Sequence, residues 1–323
     1  MIENSRFAVL DIPYCVWDPE IRRTNLEFIE GIDPTYYEYI AAINKGSLQG
    51  DGAQYAAIAI RIAYCHGLET LFALLCACIQ APDCIMGWLQ KYTLKQLRDL
   101  VKKIINYQTP IFCKLNLQSV TLEELSNLIN DFNLQDEDKE QQLKESFTTL
   151  WYRFAKDFLD DKLIAEYNNI KHGFRVRPGG SSFWVGPEDI PGVPAPPEKM
   201  SYLGGSDFGS SFFVSEGIGD EIDKRNPTHF RLKKPALNWD PKCLVHGLNL
   251  ISISLNNILA FLKVANGTDA ESVKFFYPQD KSYFEAPWQP SQSILSSEIN
   301  PIIREEDIVR FSKEEILRVY QQS

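Results

Sequence analysis

The chain has 323 residues, enough for one large domain or two smaller ones, and 44% of them are hydrophobic, which supports a sizeable core. A net charge of −10 excludes a general nucleic-acid coat, because nonspecific affinity for phosphates comes from clustered Lys and Arg. The charge is uneven: residues 119 to 161 hold 11 acids against 4 bases, whereas residues 162 to 177 hold 4 bases against Glu166, so a local basic patch fits on an acidic protein.

In chain order, residues 1 to 20 carry Pro13, Trp17 and Pro19 and read as an extended entry segment. Asp33-Pro34 opens a short helix to about Lys45, with Tyr36, Tyr37, Ile40 and Ile43 at helical spacing. Gly46, Gly50 and Gly52 end it, and Asp51 to Ala81 follows as the most apolar helix, apolar on nearly all faces and therefore central. Further helices are predicted over Leu94 to Tyr107, Thr121 to Phe132 and Asp136 to His172; the last is long enough that a kink or break is expected within it. Its stripe of Trp151, Phe154 and Phe158 should pack against the apolar helix.

Gly173 closes that helix, and the composition then changes: six prolines and four glycines within residues 178 to 197 exclude a long helix. Two strand-like runs, 211 to 215 and 229 to 232, can pair as an antiparallel ribbon across a loop containing Glu221, Asp223, Lys224 and Arg225. Helix returns at Pro241 to Asn266, with an apolar stripe from Leu248 to Leu262, and again at Glu305 to Tyr320. The predicted fold is mainly α: a helical bundle over 1–173, an irregular Gly/Pro-rich, β-hairpin-containing insertion over 174–240, and C-terminal helices over 241–323 packing back to make one continuous body.

Seven cysteines form no C-x-x-C pair and read as buried free thiols in a reducing, cytoplasmic compartment. The N-terminus lacks the basic start and apolar run of a signal peptide. Leu71 to Ile79 falls short of the roughly 20 apolar residues of a membrane span, so no membrane insertion is expected. No phosphate loop, G-x-G-x-x-G, G-x-S-x-G or H-E-x-x-H occurs, and the four histidines have no metal-ligand spacing, so no cofactor and no metal are expected.

Two polar clusters remain. At the helix end, Asn168 and Asn169 precede His172 by one turn, with Lys171 and Arg175 beside it. That corner reads either as an acid/base site with Lys171 and Arg175 holding a phosphate, or as a helix end whose polar groups satisfy the adjoining backbone. The second cluster is Arg61-Ile-Ala-Tyr-Cys-His66, with Glu69 beyond it. Arg61 and His66 stand roughly 140° apart around an ideal helix, so a shared site requires both to reach into one groove. The alternative is a buried Arg and His satisfied by neighbouring helices.

This R-x4-H element within a helical bundle, together with the helix end Tyr167-Asn-Asn-Ile-Lys-His-Gly173, resembles the HEPN superfamily. The resemblance covers residues 51 to 173 and implies an all-helical RNA-binding protein or metal-independent ribonuclease, dimeric, with its site at the subunit interface. Arg61 and His66 would then be the catalytic pair, His66 moving the 2′-hydroxyl proton and Arg61 holding the scissile phosphate, with Asn169 and His172 as further catalytic candidates. If the motif-bearing helix is instead the one ending at His172, Glu166 or Tyr167 takes the place of Arg, which implies a non-cleaving member. A different expectation is a non-enzymatic interaction protein that presents the aromatic and glycine-rich 178–232 region, with Phe183, Trp184, Tyr202, Phe208 and Phe212, to a partner.

Overall fold

The computed structural model describes residues 4–132, 134–218 and 228–318. The chain divides into two compact units, Met1–Ile164 with Asp240–Ser291 and Ala165–Trp239 with Gln292–Ser323.

The first unit opens with a hairpin, β1 (Asn4–Val9) and β2 (Ile12–Trp17), rather than an unpaired entry segment. Its helices are α1 (Ile21–Glu30), α2 (Tyr36–Lys45), α3 (Ala53–Gln80), α4 (Ile85–Leu89), α5 (Leu94–Ile105), α6 (Leu122–Ile129) and α7 (Glu137–Leu159), with α9 (Pro241–Ala265) returning to lie along α3. Both α3 and α9 are long and apolar enough to cross a membrane by length and composition, and 78% and 61% of their most apolar stretches are buried inside the chain. The apolar stripe of α9, including Leu248, Ile251, Leu255 and Leu262, is spent on this core. Phe154 and Phe158 of α7 meet Tyr64 and Phe72 of α3 at ring-centroid distances of 6.2 and 5.2 Å.

The long charged helix is broken at Asp160, which leaves the helical region at ψ 116°. The Asp160 carboxylate accepts from the Lys162 amide at 2.7 Å and so starts α8 (Asp161–Lys171) with its own N-terminal acceptor.

In the second unit, β3 (Val176–Pro178), β6 (Gly209–Phe212), β7 (Val214–Gly217), β8 (Phe230–Asn238) and β9 (Ser297–Ile299) make an antiparallel sheet. The pairs Gly209↔Asn238 and Gly217↔Phe230 belong to one unbroken register, so β6 and β7 act as a single strand along β8. The ladder lapses between Ser211↔Ala236 and Val214↔Lys233, where Pro235 supplies no N–H. The predicted ribbon loop at Glu221, Asp223, Lys224 and Arg225 lies outside the described residues. A separate two-stranded ribbon pairs β4 (Ser182–Val185) with β5 (Ser201–Gly205). The terminal helix is α10 (Lys313–Arg318), shorter than predicted, and Tyr320 lies outside the described residues.

The described residues are about 50% helical and 14% strand, with nine strands in three sheets among them, and this overturns the expectation of a mainly α bundle. The predicted runs 211–215 and 229–232 do pair antiparallel, within β6, β7 and β8. The other strands escaped a sequence reading because they are short, carry Pro13 inside them, and are built from Gly and Ser as often as from β-branched residues.

Candidate functional site

Arg61 and His66 leave α3 toward different surroundings. Arg61 is buried near Tyr64 and Asp157 of α7, and its charge acts on both. Burial pushes the Asp157 carboxyl above the usual range, against the opposing pull of the Tyr64 hydroxyl, Arg61 and the Trp288 indole. The Tyr64 hydroxyl donates to Asp157 Oδ2 at 2.6 Å, and burial together with that carboxylate lifts the phenol well above its ordinary value. These groups form a buried polar link within the first unit, sealed by Phe154 and by close approach of Gly247 to the Tyr64 ring.

His66 is exposed and packs edge-on against Tyr37 of α2, with ring centroids 5.7 Å apart and the phenol 3.4 Å from Nδ1. The Tyr37 hydroxyl also lies 2.6 Å from Thr70 Oγ1, and burial raises its pKa to about 12. So the two members of the R-x4-H element face α7 and α2 respectively, five residues apart on one helix.

Asn169, Lys171, His172 and Arg175 belong to the second unit, not to the one that holds Arg61 and His66. The Asn169 side chain donates to Ala165 O at 2.8 Å, and its backbone carbonyl accepts from Arg175 N at 2.8 Å. Gly173 and Phe174 both take positive φ, 110° and 52°, while Phe174 N returns to Ile170 O at 3.0 Å. Lys171, His172 and Arg175 are exposed, and the Lys171 ammonium lies 5.4 Å from the centre of the Tyr167 ring. The fully buried Glu166 accepts from the Ser210 hydroxyl of β6, which ties α8 to the sheet. Among the described residues, no group of three or more His, Cys, Asp or Glu could hold a metal ion. All seven cysteines are free thiols, five of them buried, with Cys15 exposed and Cys113 half-buried.

Sequence reasoning missed an open cleft of about 780 Å³ in the first unit, between the β1–β2 hairpin and residues 110–112. Phe7, Leu10, Tyr14, Pro110, Ile111 and Phe112 give it apolar walls, and Arg6 and Asp11 are its charged groups. Both walls hang on one side chain, the fully buried Gln80 at the end of α3. Gln80 Oε1 accepts from Leu10 N at 2.9 Å and from Trp88 Nε1 at 3.1 Å; its Nε2 donates to Leu10 O at 3.1 Å and to Phe112 O at 3.3 Å. Lys114 adds a second tie, donating to Arg6 O at 3.1 Å and pairing with Asp83. Burial acts to raise the Asp83 pKa, but hydrogen bonds from Lys114 and Ser5 outweigh it and hold the carboxyl below its ordinary value. The available signal was the run Tyr14-Cys-Val-Trp17 together with Pro110-Ile-Phe112, apolar stretches outside any amphipathic helix.

No protein-family model, no curated protein and no solved structure matches this chain, so the candidate sites rest on their own geometry.

Proposed function

We propose that this chain is a non-enzymatic interaction protein, and that its second unit docks an extended apolar segment of a partner protein on the β4–β5 ribbon. The observation that carries the reading is a ribbon with exposed apolar side chains on both faces: Trp184 is 54%, Val185 52%, Tyr202 42% and Leu203 51% exposed. Trp184 and Tyr202 stand opposite each other in the register, their rings edge-to-face at 5.2 Å, and form a rigid aromatic step of the kind enriched at interaction hot spots. Ile190 and Val193, in the segment that connects the two strands, are exposed as well. Among the described residues β4 pairs with β5 alone, so its outer edge offers backbone groups to an added strand.

A ribonuclease reading needs Arg61 and His66 at one phosphate. Their separate surroundings weigh against it, and at the end of α8 the Asn169 side chain and the backbone of Phe174 and Arg175 are engaged in closing that helix.

The test is a photo-crosslinking residue in place of Trp184, in cells that express the chain natively, with the same residue in place of exposed Lys95 as control. A discrete adduct from position 184, absent from position 95 and lost on Tyr202→Asp, is expected, and mixed RNA should survive incubation with the purified chain without metal. The proposal falls if position 184 gives no such adduct, or if the chain cleaves RNA and His66→Ala or His172→Ala abolishes that cleavage.

A further inference from the structure

Independently of the second unit, we propose that the cleft between the β1–β2 hairpin and residues 110–112 is a binding site for a small amphiphile with an apolar body and a single carboxylate, of the fatty-acid type. Its volume of about 780 Å³ falls within the span of small-molecule sites, and its walls are those of such a site, apolar with few polar groups. The walls are set before any ligand arrives, because Gln80 bonds Leu10 on one side and Phe112 on the other. A cleft held in this way avoids the ordering cost that weakens binding to loose loops.

The charge at the rim selects the head group. Asp11 is neutralised by Lys103 at 3.5 Å, and Lys114 is taken up by Asp83. Arg6 differs: among the described residues it makes no ion pair, and its Nε donates only to Asn4 Oδ1 at 3.4 Å. One exposed guanidinium beside an apolar trough matches one carboxylate, which it can grip through two parallel hydrogen bonds. The apolar tail then lies on Tyr14, Pro110 and Phe112, where partly exposed ring and aliphatic surface is withdrawn from water.

Titration of the full chain with dodecanoate, dodecanol and dodecyltrimethylammonium tests the assignment. Dodecanoate is expected to bind stoichiometrically and about tenfold more tightly than the other two, the scale of one charge-assisted contact. Arg6→Gln should abolish that preference while leaving dodecanol binding unchanged, and Phe112→Ser should weaken all three. Arg6 and Phe112 are both exposed, and unchanged thermal melts would show that these variants fold. The proposal is overturned if dodecanoate fails to bind, if the three probes bind equally, or if Arg6→Gln retains the preference.

Discussion

His246 on α9 packs edge-on against Tyr283 at 5.1 Å, and its Nδ1 is buried without a hydrogen-bond partner among the described residues. Burial first, and the nearby Lys45 charge second, hold its pKa below the ordinary 6.5. In the window just below 6.5 the unfolded chain therefore binds more protons than the folded one, so stability is full above that value and declines as pH falls through the folded-state pKa. Urea midpoints of wild type and His246→Gln, compared at about pH 5 and about pH 7.5, should show a smaller acid loss in the variant. Equal losses would remove His246 from the account. Leu10 shows the same dependence of one residue on its surroundings. It takes φ 58°, a region that costs an L-residue roughly 1 kcal/mol or more, and Gln80 holds it there by bonding both its N–H and its carbonyl.

At the scale of elements, α3 and α9 approach where each carries a glycine. A methyl group on Gly67 would meet Ile251 Cγ2 at 3.2 Å, and one on Gly247 would meet Tyr64 Cε2 at 2.6 Å. Neither contact was visible in a periodicity reading, which registers apolar stripes and not where two backbones touch. Gly247→Ala should displace the Tyr64 ring and weaken its hydrogen bond to Asp157, costing roughly 1–3 kcal/mol in chemical denaturation. Tyr64→Phe/Gly247→Ala should then lose less than the sum of the two single changes, because both act through one contact; strict additivity would contradict the coupling. The sheet of the second unit depends on side chains of a different kind. Asn238 accepts from Ser181 N at 2.9 Å and donates to Ser181 O at 2.7 Å and Leu295 O at 2.6 Å, binding the approach to β4 and the 295 segment to β8.

Across the whole molecule, each compact unit has its own means of cohesion, an apolar helical core in the first and a hydrogen-bonded sheet in the second. Asn238→Ala should therefore cost roughly 2–3 kcal/mol, read as faster amide exchange in β4, β8 and residues 292–299. Exchange in α3 and α9 should stay as in the wild type; equal deprotection there would show that the two units open as one. The same contrast explains what could be read without coordinates. Sequence determined the helices other than α1 and α4, a break within 136–172, the pairing of 211–215 with 229–232 and the left-handed closure at Gly173, because periodicity, caps and glycine act within a few residues. Tertiary structure alone decided the β1–β2 hairpin, whose turn is stabilised by Gln80 some seventy residues away, and the separate destinations of Arg61 and His66. It also decided the cleft, because a cavity is a property of distant walls and no local pattern records where they meet.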